Sequence, residues 1–255
     1  MASEASVCRR AGAAFGIDGD LGKPVWEGAD KTPRFVRAAD GGVTLLDTRA
    51  AFLWDDACLY AAFWMEERDL RSSGEARKGL VWQENAAVLC LAGPESYYQL
   101  AVNPLNRAAE LAVIWKDSYR RGGRFDADEF DLARQRPAVY GGDGGPHHPR
   151  GMRWAFYGWR LPGLRTAVRL DGTLDDRENI DRGWTVELAL PWDGLARLLD
   201  GVPRDGETRP VAPARTRIVE QRASRFLALW SPRPMGDLHD PGGFPPLRFS
   251  AEESA

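Results

Sequence analysis

The run Trp82-Gln83-Glu84-Asn85 sets an indole and three polar side chains immediately before the apolar stretch 86–91. An indole offers a flat apolar plate, and neighbouring amide or carboxylate groups make hydrogen bonds. That combination suits a small ligand with a flat C–H face and a rim of hydroxyls. The competing reading of Trp82 is a core residue that caps the fold. The polar flank at 83–85 favours a strand entrance near solvent, since tryptophan is seldom fully buried. Gln99, Asn103, Arg222 and His239 complete the candidate ligand contacts, together with Trp82, Glu84 and Asn85. Gln99 reads equally as a polar residue on an edge strand, and Asn103 before Pro104 as a strand stop. Glu84 reads also as an exposed acid beside a strand. Arg222 is a candidate partner for Glu187, an acid set among apolar residues in "GWTVELALPW". A lone charge there is costly, so Glu187 is expected to pair with an arginine or brace a loop backbone.

Catalytic chemistry is not expected. A glycosidase needs two carboxylates facing each other across a cleft. The acid pairs Asp55-Asp56 and Glu66-Glu67 instead fall in predicted turns, and no Ser-His-Asp set or phosphate-binding glycine loop occurs. His147 and His148 are adjacent and far in sequence from His239, a poor spacing for zinc. Haem would need paired axial ligands, and Met65 has no histidine near it in sequence. Cys8, Cys58 and Cys90 are odd in number and widely spaced, which argues for small buried hydrophobes rather than a disulfide scaffold.

The 255 residues carry a net charge of −3, leaving no electrostatic footprint for nucleic acid. "RRGGR" at 120–124 is followed at once by "DADEFD", a pattern of a solvated loop. Ten tryptophans occur, several in strand-like runs, so most belong to the core. The first ten residues lack the apolar segment of a signal peptide, and no apolar run is long enough for a membrane span. The compartment and the oligomeric state stay open.

The elements that must position these residues are strands. Residues 44–54 alternate, turn at Asp55-Asp56 and return as the doubly apolar 58–65, a hairpin. Further strands are expected at 81–91, 97–104, 109–115, 154–161, 164–172, 183–192, 225–230 and 245–250. Residues 117–151 form a long loop excursion, and 193–201 one short helix ending at Gly201. The fold class is therefore all-β, a jelly-roll-like antiparallel β-sandwich in one domain over 1–255, with its core at about 15–250.

Four stations in this order carry a family resemblance: "IDGDLGKPVW", "FLWDDACLYAAFWMEERDL", "VWQENAAVLCL" with "YYQLAVNP", and "GWTVELALPWDGL" with "LWSPRPMGDLHDPGGFPPLRF". Together they resemble carbohydrate-binding module family 9 in its broader form, over about residues 15–250. The resemblance implies a non-catalytic sandwich that binds saccharide, often alongside glycoside hydrolases, in proteins that are typically exported. It implies no cofactor, although some relatives carry structural calcium. The acidic cluster Asp175, Asp176, Glu178 and Asp181 has no EF-hand spacing, so calcium rests on the resemblance alone. Trp82 falls on the family's ring-stacking tryptophan and Gln99 on a hydroxyl-binding position. The family's acid, glutamate, arginine and second tryptophan are replaced by Asn85, Val88, Ala101 and Leu238. His239 follows Leu238, where many broader relatives also have a histidine. A chain that keeps the fold and has lost the sugar site is the alternative these replacements raise.

Overall fold

A computed structural model describes residues 5–72, 81–141, 147–176, 178–221 and 224–254; at Trp82, 220–221 and 224–226 it describes the backbone alone. The strands are β1 (Ser6–Arg10), β2 (Val36–Arg37), β3 (Thr48–Trp54), β4 (Cys58–Glu66), β5 (Ala86–Ala92), β6 (Ser96–Val102) and β7 (Ala108–Trp115). They continue as β8 (Ala138–Tyr140), β9 (Arg153–Phe156), β10 (Arg165–Asp171), β11 (Gly183–Pro191), β12 (Thr208–Gln221), β13 (Ser224–Ser231) and β14 (Pro246–Glu253). One layer of the sandwich runs β10-β11-β4-β3-β1-β14, and the other β12-β5-β6-β7-β9-β8 with β13 and β2 beside β12.

The expected β-sandwich is the observed fold, but β1, β2 and β8 are additional strands, β8 lying within the expected loop excursion, and β9 stops at Phe156 short of the expected 161. Three further differences bear on the architecture. The first is that β1 runs parallel to both of its neighbours, β14 and β3, so the sheet is mixed rather than purely antiparallel. A second is the fourteen-residue β12, which the sequence hides behind Pro210 and Pro213. Proline cannot donate to a ladder and argues against a central strand. Here Thr208–Pro210 pair with β14, whereas Val211–Thr216 pair with β5, and the β13 ladder starts only at Arg215. Pro213 thus sits where the strand is paired by β5 alone, and β12 carries the chain from one layer to the other. Thirdly, α3 (Trp192–Leu199) is the expected helix, but one-turn helices α1 (Pro24–Glu27) and α2 (Leu132–Gln135) accompany it.

Both layers are apolar on both faces. From β4, Leu59, Ala61, Phe63 and Met65 enter the core between the sheets, while Cys58, Tyr60 and Ala62 face outward beneath Trp26. From β5, Ala87, Leu89 and Leu91 point inward, and Ala86, Val88 and Cys90 outward. Each outer face therefore needs its own cover.

Glu187 holds the first cover in place. It is fully buried on the outer face of β11 and accepts hydrogen bonds from the backbone N–H of Asp18 (2.9 Å) and Gly19 (3.0 Å). The Trp26 indole N–H donates to it at 2.8 Å, and the Lys23 ammonium lies 2.7 Å away. The expected brace is present with Lys23 as the cation; Arg222 lies outside the described residues. Gly19 has φ +82°, and a Cβ there would lie 2.9 Å from the Val168 backbone, so no larger residue fits this turn. Cys8, Cys58 and Cys90 are all buried and free.

Between the layers, Arg215 and Glu67 form a fully buried ion pair at 2.7 Å. Arg215 also donates to Thr48 Oγ1 at 2.9 Å and to the Glu66 carbonyl at 2.8 Å. Burial lowers its pKa to about 10, despite the raising field of Glu67, so it stays charged at neutral pH. Glu67→Gln strips the compensating charge from a buried guanidinium. It is expected to cost about 3 kcal/mol in urea unfolding at pH 7.

Candidate functional site

The outer face of the second sheet carries a cavity of about 210 Å³. Strand register builds its floor. Val88 on β5 pairs with Ala101 on β6, and Ala101 pairs with Ala109 on β7. One pleat along, Gln99 pairs with Leu111. Leu227 and Leu229 border the cavity from β13, and Leu238 and His239 from the loop after it. These strands put an aliphatic residue at almost every outward position, which is why the face demands a cover at all.

The cover is the segment 235–244, with Met235 and Phe244 buried on the sheet. Arg153, at the start of β9, anchors its middle. This fully buried guanidinium lies 4.9 Å from the Trp115 ring centre and 5.9 Å from those of Tyr97 and Tyr140. It donates a hydrogen bond to the His239 carbonyl. Aromatic faces compensate a buried cation through their quadrupoles, and the carbonyl completes the cage. The His239 ring stands edge-on to Tyr140 at 5.1 Å, with Nδ1 3.2 Å from the Tyr97 hydroxyl. His148 packs 4.5 Å from Trp115 and lies 3.1 Å from Asp240, so a histidine from the long excursion clamps the far end of the same loop. Burial lowers the pKa of His239, with Asp237 acting against that shift and Arg153 with it. Burial also raises the pKa of Tyr97 and Tyr140.

Gln99 is the open polar group of this site. It is 7% exposed and lines the cavity, yet its Oε1 has no hydrogen-bond partner among the described residues. The other polar lining groups are engaged. The Thr216 hydroxyl donates to the Glu84 carbonyl at 2.6 Å, and the Tyr140 and Tyr157 hydroxyls bond each other. Asp237, at the exposed mouth, accepts from the His239 N–H at 3.0 Å. Tyr157 is 40% exposed and presents an aromatic ring beside the cavity.

Of the residues singled out from sequence, the structure brings Gln99 and His239 together here, along with Val88, Ala101 and Leu238. Glu84, Asn85 and Asn103 do not line this cavity; all three are buried braces. Glu84 Oε2 accepts from the Asn103 amide at 3.1 Å, and Asn103 Oδ1 accepts from the Leu105 and Arg107 N–H groups. Asn85 Oδ1 accepts from the Ile218 N–H at 2.8 Å. Loop backbone at a strand entrance leaves N–H groups without ladder partners, and these side chains supply the acceptors. Trp82 lies in the 3₁₀ turn Val81–Gln83; its side chain, like Arg222, lies outside the described residues. Sequence reading missed Arg153 and Tyr157. An arginine opening the apolar run "RWAFYGW" was the available signal.

A larger groove of about 770 Å³ opens on the first sheet beside Trp64. Its rim charges pair with one another, Arg169 with Asp20, Arg182 with Asp171 and Arg49 with Asp47. Lys31 covers a face of Trp64 at 4.2 Å. Asp47 Oδ1 and Trp184 Nε1, of residues lining this groove, also lack a hydrogen-bond partner among the described residues. The smaller cavity is the better candidate because it joins its open amide to an aliphatic floor and an exposed tyrosine ring. Among the described residues no group of three or more His, Cys, Asp or Glu side chains is arranged to hold a metal ion. Asp181 accepts from the Leu70 and Thr173 N–H groups, and Asp175 from that of Ser72. These carboxylates brace loops. No helix among the described residues is long and apolar enough to cross a membrane.

Solved structures share this architecture. A family 9 carbohydrate-binding module from Caldicellulosiruptor kristjanssonii in complex with cellotriose superposes with a TM-score of 0.57 at 13% identity. The match covers 97% of this chain and 94% of that one. A family 9 module from the same organism, in complex with glucose, gives 0.55 at 13%, covering 98% of each. A candidate carbohydrate-binding protein from Bacteroides uniformis gives 0.56 at 14%, covering 96% of this chain and 99% of that one. No protein-family model and no curated protein matches the sequence. At these identities the likeness establishes the fold.

The cage makes a pH prediction. Burial holds the folded pKa of His239 below its unfolded value of about 6.5. The unfolded chain then binds the proton first, so stability present above pH 6.5 is lost as pH falls toward the folded pKa. Thermal unfolding from pH 7.5 to 5 is expected to show a steeper loss in the wild type than in His239→Gln, which keeps a polar group and does not titrate.

Proposed function

We propose that this chain is a non-catalytic saccharide-binding β-sandwich whose ligand occupies the cavity on the outer face of the second sheet. The observation that carries this reading is Gln99, a buried amide with an open acceptor facing an aliphatic floor. A buried polar atom without a partner is costly, and a hydroxyl donor entering the cavity relieves that cost. The aliphatic side chains receive a pyranose C–H face, Tyr157 offers ring surface at the mouth, and Asp237 accepts a rim hydroxyl. The cavity is smaller than the roughly 300–1,000 Å³ of sites for drug-sized ligands, which suits one sugar ring.

The fold shared with modules solved with cellotriose and glucose supports this reading. So does the shortage of catalytic carboxylates. Two acids border the cavity, and Glu110 is bound by the Tyr98 hydroxyl and the Leu161 N–H. By this reading the chain serves polysaccharide or glycan breakdown by holding sugar near hydrolases. The rival reading is a retained fold without a sugar site. It draws on Val88 and Ala101, which pair on the floor where the family resemblance implies a carboxylate and a guanidinium.

A glycan array followed by calorimetric titration separates the two. Binding is expected in the millimolar to high-micromolar range. Gln99→Ala and Tyr157→Ala are each expected to weaken it about tenfold, with thermal stability retained. Binding that both variants leave untouched contradicts this site, and no binding to any glycan contradicts the function.

A further inference from the structure

Resting on the saccharide reading above, we propose that the cavity selects sugars bearing a methyl-terminated substituent, a 6-deoxy carbon or an acetamido group, over their hydroxylated counterparts. The floor argues for it. Val88, Ala101, Ala109 and Leu111 are each 7% exposed or less, and the register sets them side by side. Leu238 closes over them from the covering loop.

The polar groups around that floor are already engaged. Thr216 donates to the Glu84 carbonyl, the Tyr140 and Tyr157 hydroxyls bond each other, and His239 Nδ1 meets the Tyr97 hydroxyl. A sugar hydroxyl pressed onto the aliphatic surface loses its water and finds no replacement. A methyl group in the same place gains contact and loses nothing. One donor is still wanted, opposite Gln99 Oε1, and either a ring hydroxyl or an acetamido N–H supplies it.

The substituent class follows from this division of the cavity, an amide acceptor and the Asp237 carboxylate at the mouth bordering an aliphatic bed. A fully hydroxylated hexose that sets a donor on Gln99 brings other hydroxyls against the leucines that line the cavity with accessible surface, Leu227, Leu229 and Leu238. A 6-deoxyhexose or an acetamido sugar places its methyl there and its donor on the amide together.

Matched pairs test this directly on the full chain. L-fucose is compared with L-galactose, which differs by the 6-hydroxyl, and N-acetylglucosamine with glucose. In at least one pair the methyl-bearing member is expected to bind about tenfold tighter, the discrimination one apolar group earns in an aliphatic pocket. The pair that responds tells whether the methyl belongs to a 6-deoxy carbon or an acetamido group. Leu227→Asn, which keeps size and adds a polar group at an exposed lining position, is expected to bring that ratio toward one while thermal unfolding confirms a folded protein. Equal or tighter binding of the hydroxylated member in both pairs overturns the selectivity and leaves saccharide binding standing. No binding by any of the four sugars, or by cellotriose, overturns the saccharide reading and the selectivity with it.

Discussion

A β-sheet that is apolar on both faces must be covered twice, and this molecule is organised around that constraint. The core between the layers covers the inner faces of β4 and β5. Their outer faces are left to loop segments that hold no strand, only a single turn of helix each. On the first sheet the chain from Phe15 to Ala29 lies over Ala51, Leu53 and Tyr60. On the second, residues 235–244 lie over the outward row of β5 and its neighbours, and where that cover stops the cavity begins.

Irregular segments bring backbone N–H and carbonyl groups onto an apolar surface, so each cover needs a buried polar anchor. Glu187 supplies acceptors to the first cover, and Arg153 supplies donors to the second. The two anchors are opposite in charge and alike in logic. Each is an ion placed on the outer face of a strand, compensated locally by Lys23 in one case and by three aromatic faces in the other. Gln99 presents an open acceptor to a part of the second sheet's outer face that this cover leaves as a cavity.

The sandwich was legible in the sequence because doubly apolar and alternating runs differ so plainly from the loops between them. Strand β12 was not, since Pro210 and Pro213 mimic a loop until the switch from β14 to β5 explains how prolines are tolerated there. Glu187 was recognisable as an anomaly, but its cation was not, because Lys23 lies 164 positions away and only the fold joins them. Gln99 and His239 were singled out through the family resemblance, and the fold sets both on one cavity. Glu84, Asn85 and Asn103 have the composition of ligand contacts, and what separates a contact from a brace is the direction a side chain takes. Arg153 and Tyr157 act through partners from other elements, which local patterning does not encode.

By the proposed reading, ligand rests on the outer face of the second sheet, over the strands β5, β6 and β7. Backbone amide shift mapping in the presence of saturating glucose and, separately, N-acetylglucosamine addresses it most directly. Perturbations are expected to concentrate at Val88, Gln99 and Ala101 and in the 237–239 loop. Shifts gathered instead around Trp64 and Arg182 on the first sheet, or none with either sugar, contradict it.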